Sequence, residues 1–290
     1  MTLVGNTNVN SILSRNAFER HTEAYEKSLE RLASGFRINR ASDDAAGLTI
    51  SENLISQITR MRQANRNTQD GISVLQTAEG SLAVIGDNLQ RIRELSVQAA
   101  NDTNGADSRQ ALSNEIRQLL TDIDRIASAS SLNGIQLLGG TTANAFLQIG
   151  PNSDPATNTV DLTSVLTSAT SLGLGAVGTT GETFATIAAV DLSTGALARS
   201  FITDVDDAIE AVNFQRAQMG AFQNKLESVT QNLDLSIENF SNSNSRIRDV
   251  DIAAETANLT QAQIRREASA SVLGQANSIN ETVLRLLQNF

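Results

Sequence analysis

The feature that most constrains the fold of this chain is an unbroken heptad repeat. Apolar or small residues recur there at steps that alternate three and four: Leu75, Ala78, Leu82, Ile85, Leu89, Ile92, Ser96 and Ala99. Such spacing is typical of a helix that buries one narrow stripe against another helix. A second stretch repeats the pattern after a polar break at residues 101–107: Leu112, Ile116, Leu119, Ile123 and Ile126. We expect these two helices to form an antiparallel hairpin.

A third and longer repeat supplies the partner that this hairpin needs. Its positions are Phe201, Val205, Ala208, Val212, Gln215, Met219, Phe222, Leu226, Val229, Leu233, Ser236 and Phe240. At ~1.5 Å per residue this helix would extend for roughly 60 Å, so we expect an elongated rod. The absence of Trp and the 3% aromatic content agree with thin helix seams rather than a thick core.

The two ends show weaker apolar stripes, interrupted by polar residues. The first stripe is Val9, Ile12, Leu13, Phe18, Tyr25, Leu29 and Leu32, and the last is Val250, Ala257, Ile264, Ala268, Ile279, Val283 and Leu287. Helices with so little apolar surface are marginal alone, so we expect both ends to order only with partners. Gly35 is expected to end the first helix and Ser42 or Asp43 to cap the next, while the polar run 241–245 is expected to interrupt the chain before the last helix.

The centre of the chain is not helical in pattern. Both prolines fall there, and alternation in residues 146–149 and 159–162 around a turn predicts a β-hairpin. The fold class is therefore mainly α, an elongated coiled-coil-like rod with paired terminal helices and a small central insert containing a β-hairpin. We predict three parts: residues 1–42 with 246–290, residues 43–140 with 200–245, and the insert 141–199.

The residue inventory argues against an enzyme and against a cofactor or metal site. The stretch Gly173–Gly178 satisfies G-x-G-x-x-G but lacks the strand and helix of a dinucleotide site. His21 is the only histidine, and it is expected on an exposed helix face. The Asp pairs at 122/124, 204/206 and 249/251 are expected to be solvated or to begin helices. No cysteine is available as a nucleophile or as a metal ligand.

Charge and hydropathy narrow the range of partners. A net charge of −10 without a basic run disfavours nucleic acid and anionic membranes. No apolar stretch has membrane-spanning length, and residues 1–10 lack the pattern of a signal peptide. A protein of this kind that leaves the cell is expected to use an export route without cleavage.

Three segments resemble bacterial flagellin: residues 29–48, LERLASGFRINRASDDAAGL; residues 90–101, QRIRELSVQAAN; and residues 245–251, SRIRDVD. The resemblance covers about residues 1–140 and 200–290. It implies a secreted, extracellular subunit that self-assembles into the flagellar filament for swimming motility. It also implies type III export, and an export chaperone, a cap and hook-filament junction proteins as partners. Because the end helices bury too little apolar surface to order alone, we expect the C-terminal apolar cluster Leu286, Leu287 and Phe290 to be needed for polymerisation.

The resemblance also implies a role for a stripe of four residues that each precede a seam position by one residue. Arg91, Leu95 and Gln98 precede seam positions, which places Leu95 outside the internal core, and Glu115 precedes Ile116 in the same way. These four residues match the stretch that the vertebrate flagellin-sensing Toll-like receptor, an innate immune receptor, recognises. Packing of this stripe against neighbouring subunits alone is the alternative.

Two rival functions stay open at the level of sequence. A hook-filament junction protein would share flagellin-like ends, and a surface adhesin or polysaccharide-binding flagellin-like protein would use the Thr/Ser-rich insert. The insert lacks an aromatic sugar platform, since Phe146 and Phe184 are its only aromatic residues. Its Thr and Ser residues between 141 and 200 are candidates for O-linked glycans.

Overall fold

The computed structural model describes residues 8–138, 146–163, 166, 190 and 192–288, with side chains of the last helix described as far as residue 278. Long helices make up most of this part: α1 (Val9–Ser34), α2 (Ala45–Ala99), α3 (Ala106–Ala129), α5 (Gly195–Arg248) and α6 (Ile252–Gln288), with the single-turn α4 (Pro155–Asn158). The short strands are β1 (Ser131–Leu132), β2 (Ile135–Gln136), β3 (Phe146–Gln148) and β4 (Thr159–Asp161). The predicted mainly-α class is confirmed.

The chain divides into two compact units, which we call the terminal unit (residues 1–58 and 238–290) and the middle unit (residues 59–237). The terminal unit contains α1, the start of α2, the end of α5, and α6. The middle unit contains the rest of α2 and α5, all of α3, and the strands. The three-part division expected from the sequence stays a prediction.

The middle unit is built on the predicted heptad seams. All eight seam positions from Leu75 to Ala99 are completely buried, and they join residues of α3 and α5 in one continuous core. On α5 the buried positions from Phe201 to Leu233 follow the predicted repeat. On α3 the buried stripe includes Ile116 and Ile123, but also Ser113, Leu120 and Ala127 beside them. Two adjacent rows are buried on α3 because α2 is not its only neighbour: Val190, in the segment before α5, accepts a hydrogen bond from Ser113 Oγ at 3.4 Å.

Two antiparallel hairpins complete the middle unit. The predicted hairpin is confirmed, with Phe146, Leu147 and Gln148 of β3 opposite Asp161, Val160 and Thr159 of β4. Gly71 of α2 leaves the space that the Leu147 side chain occupies. The sequence analysis missed the smaller hairpin of β1 and β2, whose two-residue turn, Asn133-Gly134, has φ of 51° and 79°. Asn-Gly with both φ positive is the favoured sequence for such a turn.

The predicted ends of the helices are partly right. Gly35 ends α1 in the left-handed conformation at φ 75°, with its N–H bonded to the Arg31 carbonyl. The next cap is Asp44, whose Oδ1 accepts from the Gly47 N–H at 2.8 Å, so the prediction of Ser42 or Asp43 is wrong. Asp43 instead accepts from the N–H groups of Asn39 and Arg40, which folds the link before α2.

The polar run 241–245 does not interrupt the helix as predicted. It lies inside α5, where the Ser243 hydroxyl donates to the Asn239 carbonyl one turn earlier. The helix ends seven residues later than residue 241, at Arg248, because Asp251 starts a new one. Its Oδ1 accepts from the N–H groups of Ala253 and Ala254 and so caps α6, the helix-start role expected of this carboxylate.

Candidate functional site

The terminal unit is held by an antiparallel pair of helices, α1 and α6. Asn8 Nδ2 donates to the Ala276 carbonyl at 2.9 Å near one end of the pair. Near the other end, Arg31 Nη1 lies 3.8 Å from Glu255 Oε2. Between them, the Arg266 guanidinium stacks 4.1 Å from the centre of the Tyr25 ring. The pairing of the terminal helices that the sequence predicts is therefore present.

The residues in this helix-helix seam agree only in part with the weak apolar stripes of the sequence. The less exposed positions of α6 step by four and three: Glu255, Leu259, Ala262, Arg266, Ser269, Leu273 and Ala276. Ile264, which belongs to the stripe of the last helix, is 61% exposed and lies outside this seam. His21, predicted on an exposed face, is half-buried on the seam side of α1. The seam on α6 was misplaced because the search followed apolar residues, whereas the seam contains the polar residues Glu255, Arg266 and Ser269 among apolar ones.

Many large apolar side chains of the terminal unit face outward, although others, such as Phe18, Leu32 and Leu273, are half-buried. The exposed ones are Val9, Ile12, Leu13, Leu29, Phe36, Ile50, Ile252, Ile264 and Val272. Buried apolar residues of the same unit, among the described side chains, are Ile38, Ile58, Ala262 and Ala276. A helix pair that hides Ser and Arg while exposing Ile and Val has apolar area left over for another surface. This outward face is the candidate assembly surface of the chain.

A clasp of backbone hydrogen bonds joins the two links of the terminal unit. The Val250 N–H donates to the Gly35 carbonyl at 3.0 Å, and the Arg37 N–H donates to the Arg248 carbonyl at 2.6 Å. Arg248 stacks 4.6 Å from the centre of the Phe36 ring, and its Nη1 lies 2.9 Å from Glu52 Oε1. Both links belong to the segments on which the family resemblance rests, residues 29–48 and 245–251. Their pairing could not be found from spacing, because it joins residues about 210 positions apart.

The predicted receptor stripe lies in the middle unit, and three of its four residues are exposed. Arg91 donates to Glu94 Oε2 at 3.0 Å and to Glu115 Oε1 at 3.1 Å, which brings together two of the predicted residues. These hydrogen bonds, to Glu94 first and then to Glu115, raise the pKa of Arg91. The Gln98 side chain is exposed, while its carbonyl accepts from Asn104 Nδ2 at 2.6 Å.

Leu95 does not lie outside the core as predicted. It is 2% exposed and belongs to the continuous core of the middle unit. The prediction counted one seam on α2, but α2 is covered from two sides. Arg91 reaches Glu115 of α3, and Arg93 pairs with Asp206 of α5. A helix with two neighbours buries a wider arc than one heptad stripe, and Leu95 falls within it.

The remaining predicted residues lie at the end of the chain. Leu286 and Leu287 belong to α6, whose side chains beyond residue 278 are not described, and Phe290 lies outside the described residues. The glycine-rich stretch 173–178 also lies outside them. Within the described ranges no cluster of three or more metal-binding side chains is found, and no helix is long and apolar enough to cross a membrane.

Comparison with known proteins matches both ends of the chain to one family. The family model described as "Bacterial flagellin N-terminal helical region" matches residues 6–143, and the one described as "Bacterial flagellin C-terminal helical region" matches residues 202–287. A flagellin of Halalkalibacterium halodurans is 43% identical over 91% of this chain and 92% of its own length. The flagellar filament 33 kDa core protein of Treponema phagedenis is 37% identical over 99% of this chain and 100% of its own length.

A solved structure shares the fold without close sequence similarity. It is described as a putative flagellar hook-associated protein from Vibrio parahaemolyticus, with a TM-score of 0.59, 15% identity, and coverage of 71% of this chain and 100% of that one. The sequence matches are the ones that decide the family, because they span both helical ends at more than a third identity. The chain belongs to the bacterial flagellin family, a family of structural proteins rather than enzymes, and is a self-assembling subunit of the extracellular flagellar filament.

Proposed function

We propose that this subunit builds the filament used for swimming by covering its outward apolar face with neighbouring copies. The observation that carries the proposal is the set of exposed aliphatic side chains on the α1–α6 pair, among them Ile252, Ile264 and Val272, while the charged Glu255 is buried. Burial of one large aliphatic side chain stabilises a contact by about 1.5–3 kcal/mol at most. A face repeated at every subunit therefore favours polymerisation strongly.

We also propose that Leu286, Leu287 and Phe290, at the end of the chain, are needed for polymerisation. Removing residues 284–290 is expected to abolish filament growth and to leave the thermal melt of the monomer almost unchanged, because the core of the middle unit lies elsewhere. Growth is measured by light scattering and electron microscopy, and the melt by circular dichroism. A matched control is Val84→Ser, which alters a 48% exposed apolar residue of the middle unit. Filaments of normal length from the truncated chain would contradict the proposal.

Before assembly, an exposed face of this kind needs protection. We infer that an export chaperone holds the C-terminal segment in the cell, that the chain is exported through the flagellar type III apparatus, and that a cap and hook-filament junction proteins guide its assembly. The exposed residues Ile264 and Val272 of α6 support a chaperone contact there. Ile264→Asp with Val272→Asp is expected to prevent capture by the chaperone, whereas Val84→Asp is not. Equal capture of both variants would refute this assignment.

We further propose that the monomer is recognised by the vertebrate flagellin-sensing Toll-like receptor through Arg91, Gln98 and Glu115, with Leu95 supporting them from the core. The support is an exposed, ordered pair, Arg91 and Glu115, on two adjacent helices. Arg91→Ala is expected to reduce receptor signalling by monomer at least tenfold. Arg125→Ala, which breaks the exposed pair with Asp122 on α3, is the matched control. Filaments are expected to signal weakly, because packing covers the stripe.

A junction protein, present in few copies, is the second candidate. The fold shared with the Vibrio parahaemolyticus hook-associated protein favours it only at the level of fold. The amount of this chain in sheared filaments separates the two functions: the main subunit accounts for most of the protein mass, and a junction protein for a trace. The adhesin or polysaccharide-binding role of the insert stays a prediction, tested by a glycan-binding assay on the monomer.

A further inference from the structure

A polar cavity of about 260 Å³ lies in the seam between α1 and α6. Its charged and titratable lining consists of His21, Lys27, Arg31, Glu255 and Arg265. It is therefore unlike the aliphatic seams of the middle unit. A volume of this size has room for a carboxylate together with a few water molecules.

The positive charges of this cavity are incompletely neutralised by the chain itself. Lys27 Nζ contacts Asp43 Oδ1 at 2.6 Å, so it is paired. The distance from Arg31 Nη1 to Glu255 Oε2 is 3.8 Å, which is too long for a hydrogen bond. The buried Nε of Arg31 has no hydrogen-bond partner in the described part of the chain. Arg265 makes no ion pair with any described residue. A guanidinium N–H that is away from water and unpaired is unfavourable, so the buried Nε of Arg31 needs an acceptor that the described part of the chain does not supply.

The complementary charge lies on the other side of the same helix. Glu19, Glu23, Glu26 and Glu30 recur on α1 at steps of four, three and four, which aligns them in one stripe. At 3.6 residues per turn the stripe lies roughly 150° around the helix from the seam. Glu19 pairs with Arg15 and Glu30 with Arg40. The two central residues, Glu23 and Glu26, are exposed and have no ion pair among the described residues.

Because of this separation, the carboxylates of Glu23 and Glu26 are out of reach of the cavity in their own chain. When two surfaces of complementary charge lie at different places on one subunit, copies of that subunit bind head to tail. Head-to-tail binding is the arrangement that gives open helical filaments. We propose that the cavity receives Glu23 and Glu26 of a neighbouring copy, which supply an acceptor for the buried Nε of Arg31 and an ion-pair partner for the exposed Arg265. The contact fixes the register between adjacent terminal units, while the apolar face supplies most of the affinity.

Charge reversal in the full-length chain tests this contact. Arg265→Glu alone, and Glu23→Lys with Glu26→Lys, are each expected to slow filament elongation at least tenfold, since they place like charges together. The combination of all three is expected to restore elongation to within about threefold of the unmodified chain, because every copy then carries both reversed surfaces. Arg20→Glu and Glu267→Lys make the same changes of charge on α1 and α6 outside the cavity and the stripe, and they are expected to grow normally. Circular dichroism checks that every variant retains its helices.

The outcomes are decisive in both directions. The proposal is overturned if the single reversals elongate normally, or if the combined variant stays as slow as they are. It is also overturned if inorganic phosphate binds the monomer through Arg265 and the reversals leave growth unchanged, since the cavity is then a site for a small anion. The proposal rests on filament assembly, so growth of the unmodified chain in the same assay separates failure of this contact from failure of assembly itself.

Discussion

Replacing Leu95 by alanine is expected to destabilise the middle unit by about 3 kcal/mol. The side chain is 2% exposed and belongs to the core shared by α2, α3 and α5. Leucine-to-alanine changes at such positions cost about 2–5 kcal/mol, because they remove buried methyl groups and leave a cavity. A unit of this size loses about 2–4 °C of melting temperature per kcal/mol, so the expected shift is roughly 6–12 °C.

Val97→Ala is the matched control for Leu95→Ala. Val97 lies two residues further along the same helix and is 50% exposed. Its truncation is expected to change the stability by less than about 0.5 kcal/mol. Both variants are compared as monomers by thermal and urea denaturation followed by circular dichroism. Equal melting temperatures for Leu95→Ala and Val97→Ala would refute the assignment of Leu95 to the core.

The same pair of variants bears on the receptor proposal. If Leu95 only supports Arg91 from beneath, signalling by Leu95→Ala falls at 37 °C in parallel with the loss of folded monomer. It then recovers at a temperature at which the variant is fully folded. Arg91→Ala removes only solvent-exposed ion pairs, so it is expected to keep its stability and to lose signalling at both temperatures. Full signalling by Arg91→Ala would contradict a direct role of this side chain.

Three further predictions concern other parts of the chain. The hydrogen bond from Lys27 lowers the pKa of Asp43 from 3.8 to about 2, so this carboxylate stabilises the fold above pH 3.8 and loses that effect as the pH falls towards 2. Asp43→Asn is therefore expected to make the free energy of unfolding less dependent on pH in that range. Gly134→Ala is expected to cost about 1 kcal/mol in urea denaturation because φ is 79° there, whereas Gly80→Ala, inside α2 with open space around it, is expected to add about 0.5–1 kcal/mol. The Thr and Ser residues of the insert are candidate sites for O-linked glycans in native filaments, and an intact mass equal to the 30.9 kDa of the chain would show that they carry none.

The sequence predicted the middle unit well because its helices bury aliphatic side chains. Leu75, Leu82 and Leu89 have no other means of leaving water, so their spacing identifies the buried face directly. Leu95 was misplaced for a related reason. A heptad repeat identifies the face with which a helix contacts one neighbour. It does not indicate whether a second neighbouring helix buries residues beside that face.

The terminal unit was harder to predict because its seam mixes polar and apolar side chains. A search for apolar periodicity selected Ile264, although Arg266 and Tyr25 stack within the pair and Ile264 faces outward. We propose that the exposed apolar residues there contact other copies, and a pattern search on one chain cannot separate such residues from an internal core. The clasp between Gly35 and Val250 could not be predicted from the sequence either, because backbone hydrogen bonds between distant segments produce no periodic pattern of side chains.

Hydrogen exchange of α1 and α6 in monomer and filament tests the central claim most directly. That claim is that the terminal helices expose an apolar face which neighbouring copies cover, and that they become stably ordered only then. The account predicts rapid amide exchange of α1 and α6 in the monomer, strong protection of both in the filament, and similar protection of the α2 core around Leu82 in the two states. Protection of α1 and α6 in the monomer that equals their protection in the filament would contradict it.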